Sequence, residues 1–109
     1  MIRKNTKIVS SNGKPENNLY IPFGLTATAG DMEGEVDLVW EPVEGSNSYV
    51  VQISRSKNKP ANWIQEDVIT KSSYTVSRLK SGSMYWFRIA AVSPAGQGIW
   101  SEPVNKKAP

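Results

Sequence analysis

The stretch from Leu79 to Val92, Leu-Lys-Ser-Gly-Ser-Met-Tyr-Trp-Phe-Arg-Ile-Ala-Ala-Val, constrains the fold more than any other part of the chain. A polar turn, Lys80 to Ser83, is followed by strict alternation. Tyr85, Phe87, Ile89 and Ala91 fall on one face, and Trp86, Arg88 and Ala90 on the other. Period-2 alternation of aromatic and branched residues is the mark of a strand with one face in a core. A chain organised around such a strand needs partner strands on both sides and a second layer over the buried face.

The rest of the chain supplies candidates. In Pro22–Thr28, Phe23, Leu25 and Ala27 alternate with small residues, which suits a first edge strand, A; a proline is tolerated at such a strand's start. Glu35–Glu41 (B) places Val36, Leu38 and Trp40 opposite Glu35, Asp37, Val39 and Glu41. Ser48–Ser54 (C) places Tyr49, Val51 and Ile53 opposite Val50, Gln52 and Ser54, and a polar loop, Arg55–Asn62, follows. Trp63–Ile69 (C′) is anchored by Trp63 and Ile64. Tyr74–Ser77 (E) ends at Leu79, the opening stretch is F, and Ile99–Val104 closes as G. Turn-forming clusters separate these segments. Seven short extended segments and no helical period predict an all-β, seven-stranded antiparallel β-sandwich, with a meander or small barrel as the runner-up.

The 109 residues suffice for one domain, expected over residues 21–105. Residues 1–20, polar and broken by Gly13 and Pro15, read as a linker or tail, and 106–109 as a C-terminal tail. The net charge of +3 sits mainly at the ends, in Arg3, Lys4, Lys7, Lys14, Lys106 and Lys107, and reads as solvated tails rather than a nucleic-acid arm. No run approaches a membrane span, and the basic start has no apolar stretch behind it to make a signal peptide.

Quoted in order, Pro22-x-x-Leu25, Leu38-x-Trp40, Pro42-Val43-x-Gly45, Tyr49-x-Val51 and Tyr74-x-Val76 resemble the fibronectin type III pattern. So do Leu79-x-x-Gly82-x-x-Tyr85-x-Phe87-x-Ile89-x-Ala91 and Gly96-x-Gly98 before Ser101-x-Pro103. The resemblance covers Pro22 to Pro103 and implies an immunoglobulin-like sandwich with sheets A-B-E and C-C′-F-G. It further implies a core of Trp40, Tyr49, Leu79, Tyr85 and Phe87, with the Tyr85 hydroxyl bonded to backbone at the Leu79 corner.

Chemistry is scarce. With no cysteine and no histidine there is no disulfide, no thiolate site and no imidazole base or ligand. Glu35, Asp37 and Glu41 share the outward face of B and read as a solvated face. Asp31, Glu33 and Glu35 around Gly34 do not have the spacing of a calcium loop. No catalytic residue, metal ligand or cofactor site is expected, so the chain reads as a non-enzyme. The informative residues are aromatic. Of four tryptophans only Trp40 has an evident core seat. Trp86 and Arg88 project from the outer face of F, Trp100 lies beside them on G, and Trp63 anchors C′. These four form either a stacked ladder covering the sheet or an exposed surface that meets a protein or stacks on sugar rings. Single-stranded nucleic acid is disfavoured because no basic groove accompanies the aromatics. Gly98–Pro103 also looks like half of the Trp-Ser-x-Trp-Ser box of cytokine receptor domains; the second Trp-Ser is missing, and no receptor role carries over. The 93–98 loop lacks the Arg-Gly-Asp tripeptide through which one animal relative contacts integrins.

The function expected from the resemblance is that of a non-catalytic spacer or protein-interaction module. Its place would be in a longer, bacterial, secreted or cell-surface chain, with neighbouring domains or a protein as partners. The alternatives are a carbohydrate-binding accessory module using Trp63, Trp86 and Trp100, and a free-standing cytosolic adaptor. A monomer is expected, because Pro22 and Pro103 blunt the outer edges of A and G.

Overall fold

A computed structural model describes residues 21–56 and 62–109. The segment expected as an N-terminal tail (1–20) and the middle of the loop after C (57–61) lie outside the described residues. The strands are β1 (Thr26–Ala29), β2 (Val36–Val39), β3 (Ser48–Ser54), β4 (Ile64–Ile69), β5 (Ser73–Val76), β6 (Met84–Ser93), β7 (Gly96–Gln97) and β8 (Val104–Lys107). They form two antiparallel sheets. One has the order β1-β2-β5, and the other β4-β3-β6-β7, with β8 also pairing to β6. In the expected nomenclature these are A-B-E and C′-C-F-G, an all-β immunoglobulin-like sandwich.

Alternation builds the core. Val36, Leu38 and Trp40 from the first sheet meet Tyr49, Val51, Phe87, Ile89 and Ala91 from the second, and all are buried. Each large apolar side chain so buried contributes about 1.5–3 kcal/mol. Trp40 meets Tyr49 edge to face, with centroids 5.3 Å apart at 72°. Its indole N–H has no hydrogen-bond partner among the described residues. The two core tyrosines carry their hydroxyls to the rims. Tyr49 Oη accepts from Val43 N–H at 2.8 Å and lies 3.0 Å from Ser46 Oγ, bracing the β2–β3 corner. Tyr85 Oη accepts from Lys80 N–H at 2.9 Å, at the corner beside half-buried Leu79.

Three local features depart from the alternation read in the sequence. The first edge strand begins at Thr26 rather than Pro22, because Gly24 adopts φ +74 and breaks the alternation. Phe23 is thereby left 66% exposed, while Leu25 still reaches the core. The closing strand is split, giving eight strands where seven segments were expected. Val92 lies opposite Gln97, and Phe87 opposite Val104. Five steps along β6 are therefore matched by seven on the returning chain, and two residues must bulge out between β7 and β8.

The third departure corrects the C-terminal boundary. Lys106 and Lys107, expected in a tail, pair with Tyr85 and Met84 on β6, so 106–109 belong to the sandwich. Ala108 is 2% exposed within the core cluster, and its backbone bonds to Ser83 and Gly82. The carbonyl of Pro109 accepts from Gly34 N–H at 2.8 Å. Composition misleads here, since two adjacent lysines make a strand end resemble a solvated tail, although only Lys107 is exposed and Lys106 is half-buried.

Gly34 is the pivot of that end. It sits at φ +80, bonds to both Pro109 and Leu79, and a Cβ on it would lie 2.7 Å from the Leu79 carbonyl oxygen. Gly34→Ala therefore combines a left-handed backbone cost of about 1–2 kcal/mol with a clash against backbone. We expect a loss of at least about 2 kcal/mol in urea unfolding, whereas Gly45→Ala, with open space around its Cβ position, loses only the conformational part. Tyr85→Phe strips the Lys80 amide of its acceptor, and the same assay should show a loss of about 1–3 kcal/mol.

Candidate functional site

The outward face of the second sheet gathers the aromatic residues around one cation. Gln52 on β3 lies directly opposite Arg88 on β6, and Arg88 Nε donates to Gln52 Oε1 at 2.8 Å. With its Nε so fixed, the guanidinium meets two indole rings. Its central carbon is 4.3 Å from the Trp63 ring centroid and 4.3 Å from that of Trp100. Trp63 stands at the start of β4, and Trp100 in the bulged chain between β7 and β8. The arrangement therefore spans the width of the sheet.

The bulge is what delivers Trp100. Ser101 is buried and replaces a regular ladder partner for Ile89. Its N–H donates to the Ile89 carbonyl at 2.7 Å, and its Oγ accepts from Ile89 N–H at 3.0 Å. Gly98 N–H donates to the Ala91 carbonyl at 2.8 Å and holds the other end of the loop. Fixed on both sides, the loop presents Trp100 to Arg88. The sheet beneath is closed to solvent. Val50 and Ala90 point outward by alternation, yet are 6% and 0% exposed.

Burial lowers the Arg88 pKa below the usual guanidinium value, but an arginine keeps its charge at any physiological pH. No carboxylate among the described residues is paired with it. The indole faces and the Gln52 amide oxygen solvate the charge instead. Trp86 shares this face, opposite Ser54 on β3 and Asn105 on β8, is half-buried, and is engaged as well. Arg88 thus contacts both Trp63 and Trp100, with Trp86 beside it on the same face. Each contacted indole presents one ring face to Arg88.

Two contributors escape sequence reasoning. Ser101 looks like a surface residue of an alternating strand until the bulge buries it. Arg55, read as the start of a loop, turns back so that its guanidinium lies 4.9 Å above the Tyr85 ring and its Nε donates to the Met84 carbonyl at 3.3 Å.

Elsewhere the polar groups are paired off. An open cleft of about 750 Å³ at the β4–β5 turn is lined by residues including Asp37, Val39, Val68, Lys71, Tyr74 and Thr75. Thr75 Oγ donates to Asp37 at 2.7 Å, and the Tyr74 hydroxyl to Glu66 at 3.1 Å. Burial first, and then the Glu66 and Asp67 carboxylates, push the Tyr74 phenol well above its ordinary value. It cannot serve as a base near neutral pH. Among the described residues no three acidic side chains converge as a metal site; Asp31, Glu33 and Glu35 do not come together as ligands.

The Ser101 bond is directly testable. In Ser101→Ala the buried Ile89 amide loses its acceptor, and we expect a loss of about 1–3 kcal/mol in stability. The near-ultraviolet circular dichroism of the tryptophans should weaken with it as Trp100 loosens.

Comparisons with known proteins converge on one family. The family model described as fibronectin type III domain matches residues 20–107. The chain is 32% identical over 112 residues to the titin homolog of Caenorhabditis elegans, covering 91% of this chain and 1% of that protein. It is 31% identical over 88 residues to tail tube protein gp17.1* of Bacillus phage SPP1, covering 81% of this chain and 30% of that protein. The chain thus spans no more than 30% of the length of the curated relatives described. Among solved structures, an Fn3-like protein from Clostridium thermocellum superposes with a TM-score of 0.72 at 27% identity, over 81% of this chain and 91% of that one. Domains of this family occur in titin-like and receptor proteins, and the family is generally non-catalytic. Fold, corner geometry and sequence match together make this chain a member of the fibronectin type III domain family.

Proposed function

We propose that this chain is a non-catalytic spacer module that sets the distance and orientation between parts of a longer polypeptide, with protein neighbours as its partners. The observation that carries the reading is where the two ends of the sandwich lie. The Phe23 carbonyl accepts from Glu41 N–H beyond one end of β2, while Pro109 is held to Gly34 beyond the other. Gly34 and Glu41 are seven residue steps apart, about 23 Å in extended chain. Whatever is joined at one pole is kept away from whatever is joined at the other.

The alternative, a carbohydrate-binding module, requires indole faces free to lie on sugar rings. Arg88 takes one face of Trp63 and one of Trp100, which supports the ladder reading of these residues. A contact of this kind contributes about 0.5–1 kcal/mol when exposed and about 2 when desolvated. We therefore expect Arg88→Ala and the double variant Trp63→Ala/Trp100→Ala to lower stability by about 1–3 kcal/mol each. The wild-type protein should bind no sugar on a glycan array. A glycan bound by the wild type, and lost in a double variant that still folds, replaces the spacer reading with the carbohydrate one.

The spacer reading itself is tested in the source cells. An antibody against residues 21–109, used on fractionated extract, should detect a polypeptide far larger than 12.0 kDa. A band near that mass in the cytosol overturns it in favour of a free-standing adaptor.

A further inference from the structure

The fourth strand leaves one edge of the second sheet without a partner among the described residues: β4 pairs with β3 alone. Which backbone groups face that free edge follows from the ladder. Ile89 directs its N–H and C=O toward Ser101. In an antiparallel sheet successive residues direct these groups to opposite sides. Ala90 therefore faces β3, and so does its opposite number Val50 face β6. Tyr49 and Val51 then face β4, and their partners Ile69 and Asp67 face back. Val68, between them, turns its N–H and C=O outward.

That outward amide is not open. Val68 N–H donates to the carboxylate of the preceding residue, Asp67 Oδ1, at 2.7 Å. The neighbouring edge position is altered too. Val51 lies opposite Asp67 and Gln52 opposite Gln65, so Glu66 is an extra, bulged residue. Its carboxylate is held by the Tyr74 hydroxyl at 3.1 Å. Flanking these acids, Ile64 is 65% and Val68 49% exposed. Apart from the acids the edge is thus extended, apolar and suited to another strand.

We propose that the Asp67 carboxylate closes the β4 edge to a second copy of this chain, and that without it two copies join β4 to β4 into a continuous sheet. Two registers of a two-fold antiparallel pair, centred on the two residues of this cap, carry the argument. Centred on Val68, one exposed valine lies opposite the other, and each Val68 N–H is needed by the partner's Val68 carbonyl. Asp67 already occupies that N–H. Centred on Asp67, two carboxylates lie directly opposite each other, which is destabilising in a sheet. One side chain thus opposes both registers, by occupying a donor in the first and by charge in the second. The proline expectation for strands A and G concerns other edges; this device protects an edge of the second sheet that those prolines leave untouched.

The test is sedimentation velocity on the whole chain at neutral pH, from about 10 µM to about 1 mM, for wild type, Asp67→Ala and Asp67→Ala/Val68→Pro. The wild type should sediment as a monomer throughout. Asp67→Ala should shift toward twice the mass with a dissociation constant on the order of 100 µM or tighter. The added proline should return it to monomer: it removes only the outward N–H, and no β3–β4 ladder bond is lost. In dilute Asp67→Ala the Val68 amide should also exchange with deuterium at least about tenfold faster than in wild type. The proposal is overturned by a monomeric Asp67→Ala at the highest concentration, by a dimer that survives Val68→Pro, or by unchanged Val68 exchange.

Discussion

The hydrogen bonds between Ser101 and Ile89 tie together the parts of this domain that would otherwise come apart. Opposite β6, the returning chain carries two residues more than a regular ladder accommodates, so the sheet edge must open somewhere. It opens beside Ile89, one of the most deeply buried residues of the core. A backbone amide left unpaired there costs about 1–3 kcal/mol, a large fraction of a small domain's stability. A serine hydroxyl placed where a backbone carbonyl would have been closes the gap. β8 can then resume in a new register, and the bulged indole is turned onto the outer face.

Arg88 shows how a sandwich covers the face of a sheet that has no second layer. Beneath the ladder lie Val50 and Ala90, apolar and closed to water. A guanidinium suits the cover because it is flat, weakly hydrated and stacks on aromatic rings from both sides. A lysine would keep the charge and lose the plane. The same device recurs in smaller form where Arg55 lies over Tyr85. Of the aromatic residues that look like a binding surface in the sequence, Trp63 and Trp100 each give a ring face to Arg88.

Much of this was legible in the residues. Strand C is delimited in the sequence at the residues that form β3, because its alternation is unbroken and a polar stretch bounds each end. The Tyr85 corner was legible through the family resemblance, which places the hydroxyl at the Leu79 corner. Burial of a phenol agrees with it, because such a group must find a partner. The features that were not legible share a cause. Bulges add one or two residues without leaving a compositional mark, so neither the split of the last strand nor the extra Glu66 can be read from periodicity. A left-handed Gly24 likewise moves Phe23 from the predicted inner face to solvent. The stacked set around Arg88 was visible as a group, but its geometry depends on Ser101, whose burial only the three-dimensional register reveals.

The clasp at the C-terminal end has a mechanical consequence. β8 lies side-on to β6 through four residue pairs, and beyond it the backbone of Ala108 and Pro109 is bonded to Gly82, Ser83 and Gly34. A pull on Pro109 along the long direction of the strands meets bonds that run across that direction. They take the load together, in shear, rather than opening one after another like a zipper. The two lysines that resemble a loose tail in the sequence therefore sit where tension is borne. Force entering at that pole would reach β6, the strand at the centre of its sheet, before it could peel away an edge.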